Sequence, residues 1–182
     1  MQFTPLSIPD IIYIKPDIFY DQRGYFFESY HQKKYQEAGI TDTFIQDNQS
    51  KSTQGTLRGL HYQLPPMAQS KLVRVLEGTI FDIAVDVRKN SSTLGQWVGQ
   101  ELSADRMDSL YIPIGYAHGF YVLSETAVVY YKCNELYAKS YERAIRWDDP
   151  EINIQWPILA STPLISEKDR VAPLLSQQTD LF

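Results

Sequence analysis

The segment KLVRVLEGTIFDIAVDVR, residues 71–88, contains a clear β-strand pattern. Within Thr79–Arg88, apolar side chains occupy every second position from Phe81 to Val87, which is the two-residue period of a β-strand. Lys71–Leu76 is a second strand candidate, and Glu77-Gly78 supplies the turn between the two. The stretch therefore predicts two short strands joined by a tight turn.

Further short strands follow at similar spacing, while helix signals are few. Several short strands separated by turns are typical of a β-sandwich or barrel. One helix is predicted at Ser29–Ala38 and ends at Gly39. The tail from Pro157 is rich in proline and polar residues, which favours short turns. No strand-helix-strand alternation and no G-x-G-x-x-G motif occur, so a dinucleotide-binding fold is not expected. The additional strands are predicted near Gly95–Leu102, Ser109–Ile112, His118–Leu123 and Thr126–Cys133.

The composition limits the classes of function. The chain has 182 residues, enough for one domain, and a net charge of -5 that argues against general nucleic-acid binding. A single cysteine, Cys133, allows no intramolecular disulfide. The sequence has no signal-peptide pattern and no run of roughly 20 apolar residues. We therefore expect a cytoplasmic protein with no membrane partner.

The densest group of polar side chains lies in Gln46–Arg74, QDNQSKSTQGTLRGLHYQLPPMAQSKLVR. Amide, guanidinium, imidazole and ammonium groups together suit an oxygen-rich, anionic ligand. An ordinary polar loop beside a strand is an equally good interpretation of this spacing alone. The side chains concerned are Gln46, Asn48, Arg58, His61 and Lys71.

His61 is the central candidate for chemistry, because imidazole suits proton transfer near neutral pH. A lone histidine is more often a packed or surface residue, and the same alternatives hold for His118. His61 is followed by Tyr62 and Gln63, so the H-x-H pair of metal-binding jelly rolls is missing. Three widely separated histidines make a metal site improbable. We expect no metal and no cofactor.

Side chains alone can move a proton from carbon when a neighbouring ketone takes up the charge as an enolate. Lys71 is of a suitable type to stabilise that oxygen. Tyr131 shares strand parity with Ala127 and Val129, so it can point inward and return a proton from the opposite face. The chain has 13 tyrosines, however, and a purely structural Tyr131 is a strong alternative.

Seven segments together resemble the dTDP-4-dehydrorhamnose 3,5-epimerase family. They cover nearly the whole chain, in order and at family-like spacing, and the combination of LRGLHYQ, AHGF and SEKD is highly specific. The segments are DQRGYFFES from Asp21, QDNQSKSTQGTLRGLHYQ from Gln46, KLVRVLEGTIFDIAVDVR from Lys71, IPIGYAHGF from Ile112, YKCNELY from Tyr131, ERAIRWDDP from Glu142 and SEKDRVAPLL from Ser166.

The resemblance implies an all-β, antiparallel jelly roll with a few short peripheral helices, usually a homodimer. It also implies a single domain, with an N-terminal arm at about 1–50, a barrel at about 51–147 and a C-terminal wrap at about 148–182. The implied activity is cofactor-independent epimerisation of a dTDP-4-dehydro-6-deoxy sugar at C3 and C5.

The resemblance assigns roles to individual residues. The base is His61, oriented by Asp169, with Lys71 stabilising the oxyanion and Tyr131 acting as the acid. Residues of the N-terminal arm are expected to reach the neighbouring subunit's site. The substrate-binding positions are Arg23, Phe26, Glu28, Gln46, Asn48, Arg58, His118, Tyr137, Glu142 and Lys168, with Tyr137 stacking on the nucleotide.

Three departures from the family pattern bear on specificity. Gln49 stands where histidine is frequent, Leu136 where a second aromatic residue is frequent, and Arg106 where asparagine is common. Three alternatives remain open: an epimerase that inverts only C3 or only C5, a sugar 3,4-ketoisomerase, and a non-catalytic jelly roll that binds nucleotide sugars. A metal-dependent cupin oxygenase is a further alternative. Asp82 is left outside the catalytic set.

Overall fold

Strands dominate the computed structural model of the protein, which describes residues 1–159 and 162–182. Within these two ranges it has fourteen β-strands and two short α-helices. The strands are β1 (Gln2–Pro5), β2 (Ile12–Lys15), β3 (Phe19–Asp21), β4 (Gly24–Phe26), β5 (Gln46–Thr53), β6 (Thr56–Gln63), β7 (Lys71–Glu77), β8 (Thr79–Asp86), β9 (Trp97–Ser103), β10 (Ser109–Ile112), β11 (Tyr116–Val122), β12 (Thr126–Cys133), β13 (Glu142–Ala144) and β14 (Leu164–Ile165). The helices are α1 (Gln32–Glu37) and α2 (Glu167–Arg170).

The strands form two large sheets. The first has the order β1-β2-β10-β7-β12-β5, and the second the order β13-β6-β11-β8-β9 with β14 added beside β6. Adjacent strands are antiparallel except for β14, which runs parallel to β6. Strands β3 and β4 form a separate hairpin. The expected antiparallel, all-β jelly roll is confirmed.

The main core lies between the two sheets. Val73 and Val129 point inward from the first sheet and pack in the same cluster as Ala84 and Phe120 from the second. Because side chains alternate along a strand, the polar residues that share this inward parity also enter the interior. The functional side chains described below reach the interior in this way.

Both outer faces of the sandwich are also covered. On the second sheet, Ile83 and Val85 pack against Ile152 and Leu175 of the C-terminal segment. This cover explains why β8 carries apolar residues on both faces, since a strand buried on both sides loses its simple polar-apolar alternation.

Helix α1 covers the first sheet, and it is shorter than predicted. Tyr35 packs against Ile14 and Leu72. The helix begins at Gln32 and not at Ser29, so the predicted start is wrong. His31 keeps an extended backbone, with φ -145° and ψ 104°, and precedes the first turn without a side-chain cap. The helix ends before Gly39, as predicted.

The strand predictions at Ser109–Ile112 and Thr126–Cys133 are confirmed at both ends. The strand predicted to reach Arg88 instead ends at Asp86. The Asp86 carboxylate accepts the backbone N–H of Arg88 at 2.9 Å, which closes a local turn in place of another strand residue. Strand β11 begins at Tyr116, two residues before the predicted start.

The N-terminal segment contributes to the large sheets as well as forming an arm. Strands β1 and β2 extend the first sheet, so that sheet begins before residue 51. The tail from Pro157 contains β14, α2 and one 3-10 turn at Leu175–Gln177, in keeping with the predicted short turns. Residues 160 and 161 of the predicted C-terminal wrap lie outside the described residues. In the described part of the chain, no helix combines the length and apolar character needed to cross a membrane.

Candidate active site

The structure contains a cavity of about 530 Å³. Strands of both sheets line it, and the segment 164–169 closes one side. Nine of the residues singled out from the sequence meet there. They are Arg58, His61, Lys71, His118, Tyr131, Tyr137, Glu142, Lys168 and Asp169.

His61 and Asp169 form the best-defined pair in the cavity. His61 Nε2 lies 2.7 Å from Asp169 Oδ1, and Asp169 is only 3% exposed. The backbone N–H of Gly59 reaches the second carboxylate oxygen at 3.4 Å. Ser166 precedes α2, and its Oγ accepts the backbone N–H of Asp169 at 3.1 Å, which fixes the turn that carries the carboxylate.

These contacts keep Asp169 ionised. Burial acts to raise the pKa of Asp169, but the hydrogen bond and charge of His61, with the Gly59 N–H and Ser166, bring it below the ordinary value. An ionised carboxylate accepts hydrogen bonds only, so Nε2 of His61 carries the hydrogen of this bond. Nδ1 of His61 is then the nitrogen with a free lone pair.

Close approach of two strands positions this pair. A Cβ at Gly59 would meet the Cα of Gly119 at 2.5 Å, and Gly59 has a φ of +129°. Both facts require glycine at this position. The β6/β11 register pairs His61 directly with His118 and then shifts before Phe120. The two imidazoles therefore lie on the same face of the second sheet.

Lys71 enters the cavity from β7 and is buried. Its ammonium donates to the backbone carbonyl of His61 at 3.3 Å. Burial lowers the pKa of Lys71, while Cys133, Asp82 and Glu142 act in the opposite direction. A desolvated cation beside His61 can stabilise negative charge that develops on a bound ligand.

Tyr131 faces the cavity from β12. It packs against the core cluster that includes Ala127 and Val129, as its strand parity predicts. Its ring centroid lies 6.5 Å from that of His118. Burial raises the pKa of Tyr131. The phenol is therefore protonated at neutral pH and can donate a proton.

Glu142 connects two further cavity residues. Its Oε2 accepts a hydrogen bond from the Tyr137 hydroxyl at 2.9 Å and lies 2.5 Å from Nζ of Lys168. Burial acts to raise the pKa of Glu142, but Lys168 and Tyr137 lower it overall. This chain of contacts links the segment after β12 to α2 across the cavity mouth.

A second histidine-carboxylate pair lies deeper in the interior. His118 Nε2 is 2.7 Å from Asp82 Oδ1, and Asp82 is fully buried. Asp82 Oδ2 has no hydrogen-bond partner among the described residues. Asp82 was not among the residues selected from the sequence. The sequence pattern did indicate that Asp82 faces the interior, because it shares strand parity with Ile80 and Ala84 on β8.

Comparison with known proteins identifies the family of the chain. The family profile of dTDP-4-dehydrorhamnose 3,5-epimerase matches residues 5–177. The chain belongs to the dTDP-4-dehydrorhamnose 3,5-epimerase family. Its members are carbohydrate epimerases, a class of isomerases.

Individual relatives are similar over almost their full length. The dTDP-4-dehydrorhamnose 3,5-epimerase of Shigella flexneri is 53% identical over 170 residues, covering 93% of each chain. The crystal structure of the Legionella pneumophila epimerase in complex with dTDP-4-keto-L-rhamnose has a TM-score of 0.93 and 46% identity, covering 97% of this chain and 93% of that one. A dTDP-4-dehydrorhamnose 3-epimerase of Streptomyces niveus is 35% identical over 181 residues, covering 99% of this chain and 86% of the relative.

Five residues selected by resemblance to the epimerase family do not line the cavity. Arg23 and Phe26 belong to the β3-β4 hairpin, where Arg23 pairs with Asp21. Glu28 pairs with Lys34. The remaining two, Gln46 and Asn48, lie on β5 and are not among the residues that line the cavity.

Gln46 and Asn48 contact residues that flank the cavity. Gln46 Oε1 accepts the backbone N–H of Tyr137 at 2.8 Å, and its Nε2 donates to Asn48 at 3.0 Å. Asn48 in turn lies 3.8 Å from the sulfur of Cys133, which is buried and free. These two amides support the strand and loop that carry Tyr137.

Gln63 lines the cavity but was missed from the sequence. Its Oε1 accepts the backbone N–H of Ala138 at 2.7 Å, and its Nε2 donates to Met67 and Leu136 carbonyls at 2.6 and 3.2 Å. Gln63 therefore holds the loop that carries Tyr137. It shares the strand parity of His61, and that signal could have identified it.

The three departures from the epimerase family pattern lie outside the cavity lining. Arg106 is in the turn between β9 and β10, where it bonds to Asp108 and Glu101 at 2.7 and 2.9 Å. Gln49 is exposed on the edge strand β5. Leu136 is exposed directly before Tyr137, so it alone of the three adjoins a proposed nucleotide contact.

Proposed function

We propose that the protein epimerises dTDP-4-dehydro-6-deoxy-D-glucose at C3 and C5 and gives dTDP-4-dehydro-L-rhamnose. The observation that carries the proposal is the 2.7 Å contact of His61 with buried Asp169, in one cavity with Lys71 and Tyr131. Binding a nucleotide sugar needs no such acid-base set. Membership of the epimerase family supports the same reaction.

His61 is the proposed base at each carbon. Its Nδ1 takes the proton from C3 or C5, and the carbon-hydrogen electron pair moves towards the C4 ketone to form an enolate. Asp169 accepts the hydrogen bond from Nε2 and stabilises the imidazolium that results. The same pair holds the ring in one orientation throughout the reaction.

Lys71 stabilises the enolate oxygen at C4. Among residues 1–159 and 162–182, its ammonium donates one hydrogen bond, to the His61 carbonyl, so its remaining N–H groups are available to that oxygen. The interaction strengthens as the negative charge develops, which is the requirement for lowering the barrier.

Tyr131 supplies the proton on the opposite face of the sugar ring, at C5 in particular. The raised pKa keeps the phenol protonated until the enolate forms. Protonation of carbon from this side inverts the configuration, whereas return of the proton from His61 restores it.

The remaining cavity residues are the proposed contacts of the nucleotide, the diphosphate and the sugar. Tyr137 is the proposed stacking partner of the base, and it is exposed at the cavity mouth. Arg58 and Lys168 carry positive charge into the same cavity and suit the diphosphate oxygens. Glu142 and His118 are the proposed contacts of the sugar.

The role of His61 is tested with His61→Asn in deuterated water. We expect the variant to bind dTDP and to lose exchange of the C3 and C5 protons with solvent. Asp149→Asn is the control, because Asp149 is buried and lies outside the cavity lining. Substantial exchange by His61→Asn would rule out His61 as the base.

We also propose a homodimer in which the β3-β4 hairpin reaches the neighbouring subunit. Four aromatic side chains of this hairpin are between 59% and 70% exposed: Phe19, Tyr20, Tyr25 and Phe26. Such an apolar group on a protruding hairpin is typical of an interface. Arg23 at its tip is then available to a substrate diphosphate in the partner site.

Sedimentation velocity tests the dimer. We expect the wild type to sediment as a dimer and Phe26→Asp to shift towards the monomer. A monomeric wild type at micromolar concentration would contradict the arrangement. Phe26→Asp replaces a side chain that this chain leaves exposed, so its own fold is not expected to change.

A further inference from the structure

We infer that Asp82 is a positioning residue for His118, and that the pair presents the Nδ1 lone pair of His118 to a hydroxyl group of the bound sugar. The inference extends the proposed function and rests on it for the identity of the sugar. It assigns a role to a carboxylate that neither the sequence motifs nor the proton-transfer steps above require.

The contact between the two residues is close and buried. His118 Nε2 and Asp82 Oδ1 are 2.7 Å apart, and both residues lie in the interior. Removing a carboxylate from water is costly unless it is paired. In the described part of the chain, Asp82 Oδ1 has His118 as its hydrogen-bond partner, and Asp82 Oδ2 has no partner. A buried carboxylate with so little other support points to a functional pairing.

The pairing determines which nitrogen meets a ligand. A carboxylate only accepts hydrogen bonds, so Nε2 of His118 is the donor in this contact. The neutral ring then has its lone pair on Nδ1. An acceptor nitrogen fits a hydroxyl group and repels a ketone or phosphate oxygen, which have no hydrogen to donate. The chemistry therefore selects a sugar hydroxyl as the partner.

The position of His118 makes this contact relevant to rate. His118 is the direct cross-strand partner of His61 on β6/β11, and its ring lies 6.5 Å from that of Tyr131. A hydroxyl held by His118 is therefore close to both the proposed base and the proposed acid. Fixing that hydroxyl orients the neighbouring carbon for proton transfer, where small displacements cost rate.

The charge of Asp82 also acts on Lys71. Burial lowers the pKa of Lys71, and Asp82 is among the groups that oppose this. One carboxylate thus supports two side chains that line the cavity, although it does not line the cavity itself. Replacement by asparagine keeps the shape but removes the charge and the preference for a single tautomer.

The first test reads the tautomer directly. Long-range proton-nitrogen NMR of the uniformly 15N-labelled protein detects the ring nitrogens of each histidine. Because the chain has only three histidines, their signals can be resolved. We expect His118 to be protonated at Nε2 and unprotonated at Nδ1 in the wild type. Protonation at Nδ1, alone or together with Nε2, would overturn the inference. This measurement uses the wild-type protein, so its result does not depend on whether any variant folds.

The second test measures kinetics of Asp82→Asn. We expect kcat to fall by about tenfold to a hundredfold, less than the ~10²–10³ lost with a direct oxyanion donor, and KM to rise because a substrate contact is weakened. In Asp82→Asn combined with His118→Gln, the losses are expected not to add, since Asp82 acts through His118. Fully additive losses, or unchanged kcat and KM, would overturn the inference.

Asp86→Asn is the matched control. Asp86 is on the same strand and face as Asp82 and is also fully buried, but its partners are Arg88, Ser91 and Thr93. We expect Asp86→Asn to lower stability and to leave kcat and KM unchanged. If the wild type exchanges no sugar protons, the proposed function fails, while the NMR reading still decides the Asp82–His118 pairing.

Discussion

Asp169→Asn isolates the contribution of the carboxylate to the base. Asparagine has nearly the same shape, so the variant keeps the packing around α2 while removing the negative charge. Asp169 is 3% exposed and lies 2.7 Å from His61, so the charge acts at short range. We expect kcat to fall while dTDP binding is retained.

The magnitude follows from Coulomb's law. Two charges with centres roughly 4 Å apart interact by about 4 kcal/mol at an effective dielectric constant of about 20. The His61 side chain is 31% exposed, and solvent screening reduces the value to about 3 kcal/mol. Because 1.36 kcal/mol corresponds to a factor of ten, kcat is expected to fall about a hundredfold.

The assay is the rate of loss of the C3 and C5 proton signals in deuterated water, at saturating substrate. Asp149→Asn is the control, since Asp149 is equally buried and accepts backbone N–H groups of Glu151, Ile152 and Leu175 away from the cavity. It is expected to lose stability and keep kcat. If kcat of folded Asp169→Asn fell by less than about fivefold, or ~1 kcal/mol in activation free energy, the proposed electrostatic role of Asp169 would be wrong.

Three further predictions concern the acid, the strand contact and pH. Tyr131→Phe is expected to retain the proton exchange catalysed by His61 but to form product inverted at C5 at least tenfold more slowly, as measured by NMR of the product. This corresponds to a rise in activation free energy of at least about 1.4 kcal/mol. An unchanged rate would show that Tyr131 is not the acid. Gly59→Ala is expected to lower the free energy of unfolding by about 2 kcal/mol or more in urea titrations, because its Cβ meets backbone at 2.5 Å and φ is +129°. The folded-state pKa of Asp169 lies below its ordinary value, so its contribution to stability is complete above the unfolded pKa of about 3.9 and is lost as pH falls through the folded pKa. The difference in stability between wild type and Asp169→Asn is therefore expected to shrink on acidification, and a constant difference would contradict this.

Much of the sandwich could be predicted because its strands are short and have strict parity. Thr126–Cys133 and Ser109–Ile112 are bounded by clear turn signals, and their ends were predicted correctly. The same parity predicted that Tyr131 faces the core. Local pattern is sufficient for such features, since the alternation of side chains is a property of the strand itself.

The partners of the two interior histidines could not be read from local pattern. Asp169 is separated from His61 by 108 positions, and only the folding of the tail beside β6 brings them together. Resemblance to a family supplied that pair, whereas the residues alone did not single it out. Asp82 had the correct parity, but nothing in the sequence indicated that His118 would be its partner.

The start of α1 and the β3-β4 hairpin both depend on packing contacts that the local sequence does not contain. Ser29–Ala38 has a helical composition, yet His31 remains extended and the helix begins one residue later. Packing of Tyr35 against the first sheet determines the part of the segment that becomes helical. We propose that the partner of the exposed β3-β4 hairpin lies in another chain, and the local sequence pattern carries no information about contacts between chains.

The proposed epimerisation is tested by proton NMR of dTDP-4-dehydro-6-deoxy-D-glucose with the wild-type protein in deuterated water. We expect loss of both the C3 and the C5 proton signals, with product in the L-rhamno configuration. Loss of one signal would contradict epimerisation at two carbons and indicate a single-site epimerase. Loss of neither signal, with the nucleotide sugar bound to folded protein, would contradict catalysis by the His61–Asp169 pair.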